Sequence, residues 1–174
     1  MNRYSRREVL AAGAWSAGAL GLSGALTRAA GGPQSKPGVH VFSKHLQWLD
    51  YDGMAQAAAE VGFDGVDLTV RPGGHVAPER VEEQLPRAVD AVRRAGINVE
   101  MMVTAINDPD DPKTKSILKT AGQLGIRYYR MGYYRYDEAK GVTESLKEAV
   151  PRLRDLAAMN EHYGLAWSYQ NHAG

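Results

Sequence analysis

Four stretches of this chain share one construction: an amphipathic helical pattern ends at a glycine and continues into a short apolar segment. They read AAAEVGFDGVDLTV, AVRRAGINVEMMVT, TAGQLGIRYYRMGYY and MNEHYGLAWSYQ, and the glycines are Gly62, Gly96, Gly125 and Gly164. Glycine adopts the left-handed backbone conformation without a steric penalty, so each one predicts a helix end followed by a tight loop into a strand. The segment GVHVFSKHL, before the first helix, predicts one more strand.

The predicted elements alternate from strand to helix through five strands and four helices. Alternation of this kind indicates parallel strands joined by right-handed helical crossovers, which defines the α/β fold class. Two architectures have this order: an open sheet with helices on both faces, and a closed (β/α)8 barrel. They differ in the chemistry of their strands, because a doubly wound open sheet has strands that are apolar on both faces.

The predicted strands are apolar on one face and more polar on the other. In the second strand, Val66 and Leu68 alternate with Asp67 and Thr69, because successive side chains point to opposite faces. The same division recurs in the next three strands and predicts a (β/α)8 barrel whose polar faces line the interior. The predicted interior residues are Asp67, Thr69 and Arg71; Asn98, Glu100, Met102 and Thr104; Arg130, Gly132 and Tyr134; and Ala166, Ser168, Gln170 and His172.

A complete (β/α)8 barrel has eight strand–helix units and about 250 residues. Residues 39–174 contain about four and a half such units. We therefore expect this region to be the N-terminal part of a barrel that belongs to a longer protein. An isolated chain of this extent would leave its last strand as an open, aggregation-prone edge. We do not expect it to be a working enzyme by itself.

The N-terminus carries a pair of arginines, Arg6 and Arg7, in the sequence SRREVL. The next 16 residues, AAGAWSAGALGLSGAL, are uncharged and include four glycines and two serines. A membrane span needs about 20 mostly apolar residues, so we expect no stable anchor after processing. The pattern resembles a twin-arginine signal peptide over residues 1–32, followed by a flexible lead-in over residues 33–38. It predicts export to the periplasm or the extracellular space.

The composition of the 174 residues excludes several kinds of site. There is no cysteine, so disulfides, thiolate metal ligands and a cysteine nucleophile are absent. The formal net charge is +1, which gives no electrostatic reason to expect nucleic acid as a partner. The segment RYYRMGYYRYD interleaves arginines with tyrosines, a pattern that can stack on single-stranded nucleic acid. Half of these aromatic residues would face the helices of a barrel, so a small carbohydrate is the favoured ligand.

The segment GVDLTVRPGGHV, the helix–glycine–strand repeats and the final YQNHAG resemble the xylose isomerase-like barrel superfamily. That superfamily contains sugar phosphate isomerases and epimerases, and type IV endonucleases. The resemblance covers residues 39–174 and implies metal-assisted proton transfer next to a sugar carbonyl, through an enediolate. It also implies a divalent metal ion, Mn, Mg, Co or Zn. The metal-binding glutamate expected in a Glu-Asn-x-Ala-Gly stretch is replaced here by Gln170, whose neutral amide is a weaker ligand for a hard cation.

The active site of such a barrel lies over the C-terminal ends of the strands, and the resemblance implies roles for polar residues there. His172 and Glu100 are the candidate catalytic residues, and Gln170 is the candidate metal ligand. His172 has an alternative role as a polar strand end. Glu100 has one in an ion network with Asp67 and Arg130, because buried charges need partners. The candidate substrate-binding residues are His45, Arg71, His75 and Tyr134.

Three functional hypotheses remain. The first is an exported sugar isomerase or epimerase that acts on a small carbohydrate. The second is a non-catalytic sugar-binding barrel or an inactive fragment, which the missing glutamate makes realistic. The third is an endonuclease IV-type nuclease, against which stand the near-neutral charge, the export signal and Gln170. The oligomeric state is left open, and a homo-oligomer is compatible with the sequence.

Overall fold

The computed structural model describes residues 37–170, in which five strands alternate with four helices. The predicted signal peptide over residues 1–32, most of the predicted lead-in and the candidate residue His172 lie outside this part. Two short 3-10 turns, Ser43–Leu46 and Pro78–Arg80, are not counted among these helices. The elements are β1 (His40–Phe42), α1 (Tyr51–Val61), β2 (Gly65–Val70), α2 (Val81–Arg94), β3 (Met101–Thr104), α3 (Pro112–Gln123), β4 (Tyr128–Arg130), α4 (Gly141–Tyr163) and β5 (Ala166–Ser168).

All five strands are parallel and lie side by side in chain order, β1-β2-β3-β4-β5. The register places Leu68 beside Met102, Met102 beside Tyr129, and Tyr129 beside Trp167. Each crossover from one strand to the next contains one of the four helices. This arrangement confirms the predicted parallel α/β architecture, and it brings the C-terminal ends of all the strands to one edge.

Glycines and capping carboxylates, which can be identified in the sequence, determine where the helices begin and end. Gly62, Gly96, Gly125 and Gly164 follow the four helices with φ angles of 93°, 79°, 77° and 74°, so the predicted left-handed ends are confirmed. Two helix starts are capped by carboxylates, which accept hydrogen bonds from otherwise unpaired N–H groups. Asp50 accepts from the N–H of Gly53 at 2.8 Å, and Asp111 accepts from that of Lys113 at 2.9 Å.

The hydrophobic core lies between the sheet and the helices. Val66, Leu68, Met102 and Tyr129 point into it from three neighbouring strands and are fully buried. The hydroxyl of Tyr129 donates a hydrogen bond to Asn160 Oδ1 at 3.1 Å, which joins β4 to α4. Within residues 37–170, none of the helices combines the length and the apolar character that a membrane span requires.

The predicted faces of the third strand are wrong. The sequence pattern assigns Glu100, Met102 and Thr104 to the interior of the barrel, yet Met102 is fully buried in the core. Met101 and Val103 instead line the concave side of the sheet. The error has a physical reason: β3 has a methionine on each face, Met101 and Met102, and its one polar residue, Thr104, is buried, so alternation cannot distinguish the two faces. The predicted inward direction of Asp67 on β2 and Arg130 on β4 is confirmed.

Candidate functional site

A cavity of about 360 Å³ lies on the concave side of the sheet, toward the C-terminal ends of the strands. All five strands, or the residues directly after them, contribute to its wall. We refer to this cavity as the cleft. Its lining residues are Phe42, Lys44, Asp67, Arg71, Met101, Val103, Arg130, Tyr133 and Gln170.

The charges of the cleft are unbalanced. Lys44, Arg71 and Arg130 line it together with one carboxylate, that of Asp67. The Oδ1 atom of Asp67 lies 3.2 Å from Nδ1 of His40 on the neighbouring strand. Asp67 is therefore engaged with a histidine rather than with any of the three cations, and the cleft has an excess of positive charge.

Arg130 is held by neutral groups. Its Nη1 donates hydrogen bonds to the Tyr133 hydroxyl at 2.6 Å and to Gln170 Oε1 at 3.0 Å. The guanidinium lies over the Tyr133 ring, 5.1 Å from the ring centroid, an arrangement that favours a cation. Its Nε is buried and has no hydrogen-bond partner among the described residues. The predicted ion network of Arg130 with Asp67 and Glu100 does not form, because Asp67 pairs with His40 and Glu100 is outside the cleft.

Gln170, the candidate metal ligand, lies in the cleft with its Oε1 already accepting from Arg130. A metal site also needs several more ligands, preferably carboxylates or imidazoles for the ions in question. Residues 37–170 contain no group of three or more histidine, aspartate or glutamate side chains arranged to hold a metal ion. The described residues therefore do not fit the divalent metal that the resemblance implies.

His75, a candidate substrate-binding residue, secures the loop after β2 and does not line the cleft. Its backbone N–H donates to Thr69 Oγ1 at 2.9 Å, and its Nδ1 lies 3.3 Å from the same oxygen. Its carbonyl accepts from the Tyr51 hydroxyl at 3.1 Å. Burial lowers the pKa of the His75 imidazole, and Nε2 has no partner within the described chain. Because Arg71 belongs to the same loop, His75 positions a cleft residue.

The other candidates lie apart from one another. His45 is exposed in the turn after β1, where its ring contacts Phe42 edge-on at 5.8 Å between centroids. Tyr134 donates to the Asn107 carbonyl at 2.5 Å, and burial raises the pKa of its hydroxyl. It lines a second cavity, of about 340 Å³, between the loop after β4, α4 and β5. Glu100 is exposed just before β3, outside the lining of the cleft.

The structure thus brings together Arg71 and Gln170 of the seven candidate residues, and adds others that sequence reasoning did not assign to binding. Lys44 and Arg130 were predictable as polar residues near strand ends. Tyr133 was not, because the alternation in YYRMGYY assigns it to the core. The strand ends at Arg130, and beyond this point the backbone no longer follows the two-residue period.

No protein-family model matches this sequence, and no curated protein does. Solved structures do match. An IOLI protein with a bound zinc atom is 16% identical, with a TM-score of 0.56 over 76% of this chain and 51% of that one. A sugar phosphate isomerase/epimerase from Parabacteroides distasonis is 13% identical, with a TM-score of 0.55 over 81% of this chain and 53% of that one.

A third similar structure is the D-psicose 3-epimerase of Clostridium cellulolyticum with D-tagatose, which is 15% identical. Its TM-score is 0.52 over 75% of this chain and 51% of that one. The chain has the fold of the corresponding part of these structures. It spans about half the length of these structures. The predicted partial (β/α)8 barrel is thereby confirmed for the described residues.

Proposed function

We propose that this chain forms the substrate-binding face of a sugar isomerase or epimerase. The observation that carries the proposal is the cleft, which lies toward the C-terminal ends of the strands and draws residues from all five. Active sites of (β/α)8 barrels occupy this end of the fold. The naming of two similar structures as a sugar epimerase and a sugar phosphate isomerase/epimerase gives further support.

The side chains of the cleft suit a polyhydroxylated carbonyl compound. Arg71 and Lys44 supply donors for hydroxyl and carbonyl oxygens, and Gln170 retains its amide N–H groups while its Oε1 accepts from Arg130. When a proton leaves the carbon next to a carbonyl, negative charge develops on the carbonyl oxygen. Cations held in place before the reaction stabilise that charge without having to reorganise.

The proton itself needs a group that accepts it from carbon and returns it. Asp67 is the only carboxylate among the described residues that lines the cleft, and we assign it the role of base, with His40 orienting it at 3.2 Å. His172, outside the described residues, is retained as a candidate for the second proton-transfer group. The position of Glu100 outside the cleft lining gives no support to its predicted catalytic role.

A divalent metal remains part of the proposal for the whole protein, since one similar structure holds zinc. The described residues do not supply its ligands, so the steps assigned above use only the chain's own side chains. The experiment below therefore includes samples with added Mn²⁺ and samples with EDTA.

Solvent exchange tests the proposed reaction directly. The longer protein to which we expect this chain to belong is incubated in D2O with D-tagatose or its phosphorylated and oxidised derivatives, and proton NMR follows the signal of the hydrogen next to the carbonyl. We expect this signal to decay with wild-type protein. Asp67→Asn should slow the exchange by about 10²–10⁴-fold, the usual contribution of a general base. Asp90→Asn, at an exposed position on α2, is the matched control. Equal rates for wild-type protein and Asp67→Asn would refute the assignment of the base.

A second candidate function is a sugar-binding barrel without catalysis. It is favoured by one observation: the carboxylate that we assign as the base already interacts with His40. This alternative predicts that a sugar binds in the cleft while its hydrogen next to the carbonyl does not exchange in any of the samples. The same NMR experiment separates the two functions.

We also propose that the protein is exported by the twin-arginine route to the periplasm or the extracellular space. The proposal is motivated by Arg6 and Arg7 and by the short uncharged stretch after them. Replacing both arginines with lysine should leave the unprocessed chain in the cytoplasm, which cell fractionation and immunoblotting measure. Unchanged export of the doubly substituted chain would rule out this route.

A further inference from the structure

The three cations of the cleft have no acidic partner. Among residues 37–170, no carboxylate lies within ion-pair distance of Lys44, Arg71 or Arg130, whereas the exposed surface carries several Lys/Arg–Asp/Glu pairs. Like charges that share one small cavity repel one another, and the repulsion is relieved when an anion enters. The unbalanced charge does not stabilise the fold, and it thus indicates that the cleft binds an anionic ligand.

Two of the cations are held in place by aromatic rings. Arg130 lies over Tyr133, and the guanidinium of Arg71 lies over the Phe42 ring, 5.8 Å from its centroid. The loop that carries Arg71 is fixed by the hydrogen bonds between His75 and Thr69. A guanidinium that is fixed before binding loses less conformational entropy when it meets its ligand.

The neutral side chain of Gln170 leaves the positive charge of the three cleft cations uncompensated. Its Oε1 accepts a hydrogen bond from Arg130 Nη1 at 3.0 Å. A glutamate at 170 would place a carboxylate against the same guanidinium and neutralise it. The amide holds Arg130 in place and leaves its charge available, and Nε of Arg130 is buried without a partner in the described chain.

We propose that the cleft is an oxyanion site, in which Arg130 binds a carboxylate or phosphate group carried by the sugar, and Lys44 and Arg71 add positive charge around that group. The inference rests on the proposed function, because it names the substrate class of the same cleft: anionic sugars rather than neutral ones. Carboxylate and phosphate share the chemistry that these residues recognise, namely charged oxygen atoms that accept several N–H donors.

The test compares three ligands that share one carbon skeleton. Isothermal titration calorimetry of the full chain measures the affinity of D-tagatose, D-tagatose 6-phosphate and D-tagaturonate, with inorganic phosphate alone as a fourth probe. We expect at least one of the two anionic sugars to bind about 10–100-fold more tightly than D-tagatose, the effect of one charge-assisted hydrogen bond or more. The preferred anion identifies the source of the oxyanion. The preference should shrink as the salt concentration rises.

Substitutions locate the effect in the cleft. Arg130→Met should abolish the preference for the anionic sugar, and Gln170→Glu should do the same by neutralising Arg130. Lys119→Met removes a positive charge from an exposed position on α3 and is the matched control, which should keep the preference. If Arg130→Met fails to fold, as judged by circular dichroism, the exposed Lys44 provides the second variant, Lys44→Met.

The outcomes separate this inference from the proposed function. Tighter binding of an anionic sugar that is lost in Gln170→Glu supports the oxyanion site, even if no proton exchange is seen. Equal affinities for D-tagatose and its anionic derivatives would overturn the oxyanion site, and exchange with D-tagatose would still uphold the isomerase. Loss of the preference in Lys119→Met would also overturn the inference, because the effect would then reflect only the total charge.

Discussion

Replacing Tyr129 with alanine is expected to lower the free energy of unfolding by about 3–5 kcal/mol, the usual range for removing a buried aromatic side chain. Tyr129 is fully buried in β4, and its hydroxyl donates to Asn160 Oδ1 on α4 at 3.1 Å. Burial raises the pKa of Tyr129 to about 12, so the hydroxyl keeps its proton over the pH range of ordinary folding experiments. Urea denaturation followed by circular dichroism measures the change.

Tyr129→Phe separates the hydrogen bond from the packing. The phenylalanine retains the ring but leaves Asn160 without its donor, and Asn160 is only 4% exposed. An unsatisfied buried polar group costs about 1–3 kcal/mol, so this variant should lie between wild-type protein and Tyr129→Ala. Wild-type stability in Tyr129→Phe would show that the bond to Asn160 contributes nothing.

The packing of Tyr129 also bears on the cleft. Side chains alternate along a strand, so the residue after Tyr129 points to the opposite face of the sheet. That residue is Arg130, which lines the cleft and donates to Tyr133 and Gln170. Anchoring Tyr129 between the sheet and α4 therefore fixes the direction of Arg130. Tyr129→Phe, which keeps the ring, should retain the binding preference of the cleft if it folds.

The helix ends could be predicted from the sequence because they depend on local backbone chemistry. A glycine in the left-handed conformation ends a helix whatever lies around it, and all four predicted positions have positive φ angles. The order of elements then leaves few topologies, since parallel strands with helical crossovers follow a fixed handedness. The fold class could therefore be predicted from the sequence alone.

The sequence does not predict which side chains of β3 face the cleft, or that Tyr133 lines it. Alternation identifies the two faces only of a strand that is long and polar on one side. β3 has four residues, with a methionine on each face and its one polar residue buried. β4 has three residues and ends before Tyr133. With so few residues, one apolar side chain on the wrong face reverses the interpretation.

The side-chain partners within the cleft could not be predicted from the sequence for another reason. Arg130 and Gln170 are separated by 40 residues, and His40 and Asp67 by 27. Such contacts depend on the register of neighbouring strands, which no single segment encodes. The charges of Asp67, Glu100 and Arg130 alone favour one ion network among them. The register joins Asp67 to His40 and leaves Arg130 for Gln170.

Replacing Gly122 with alanine is expected to destabilise the protein, although alanine usually stabilises a helix relative to glycine. Alanine is favoured over glycine inside a helix by about 1 kcal/mol, and Gly122 lies within α3. However, a Cβ atom at this position would lie 2.5 Å from the backbone oxygen of Tyr163 and 3.5 Å from Leu165 Cδ1. Overpacking against rigid backbone costs about 1–3 kcal/mol, so after the helix gain of about 1 kcal/mol we expect a net loss of up to about 2 kcal/mol in the free energy of unfolding.

The neighbouring position supplies the control. Gln123 is exposed in the same helical turn, so Gln123→Ala should leave stability unchanged or raise it slightly, whereas Gly122→Ala lowers it under the same urea titration. Equal stabilisation by both substitutions would show that α3 and the end of α4 are farther apart than the structure places them. The contact matters for the cleft because Tyr163 ends α4 and leads directly into β5. A displaced α4 end would move the strand that precedes Gln170, and with it the acceptor that orients Arg130.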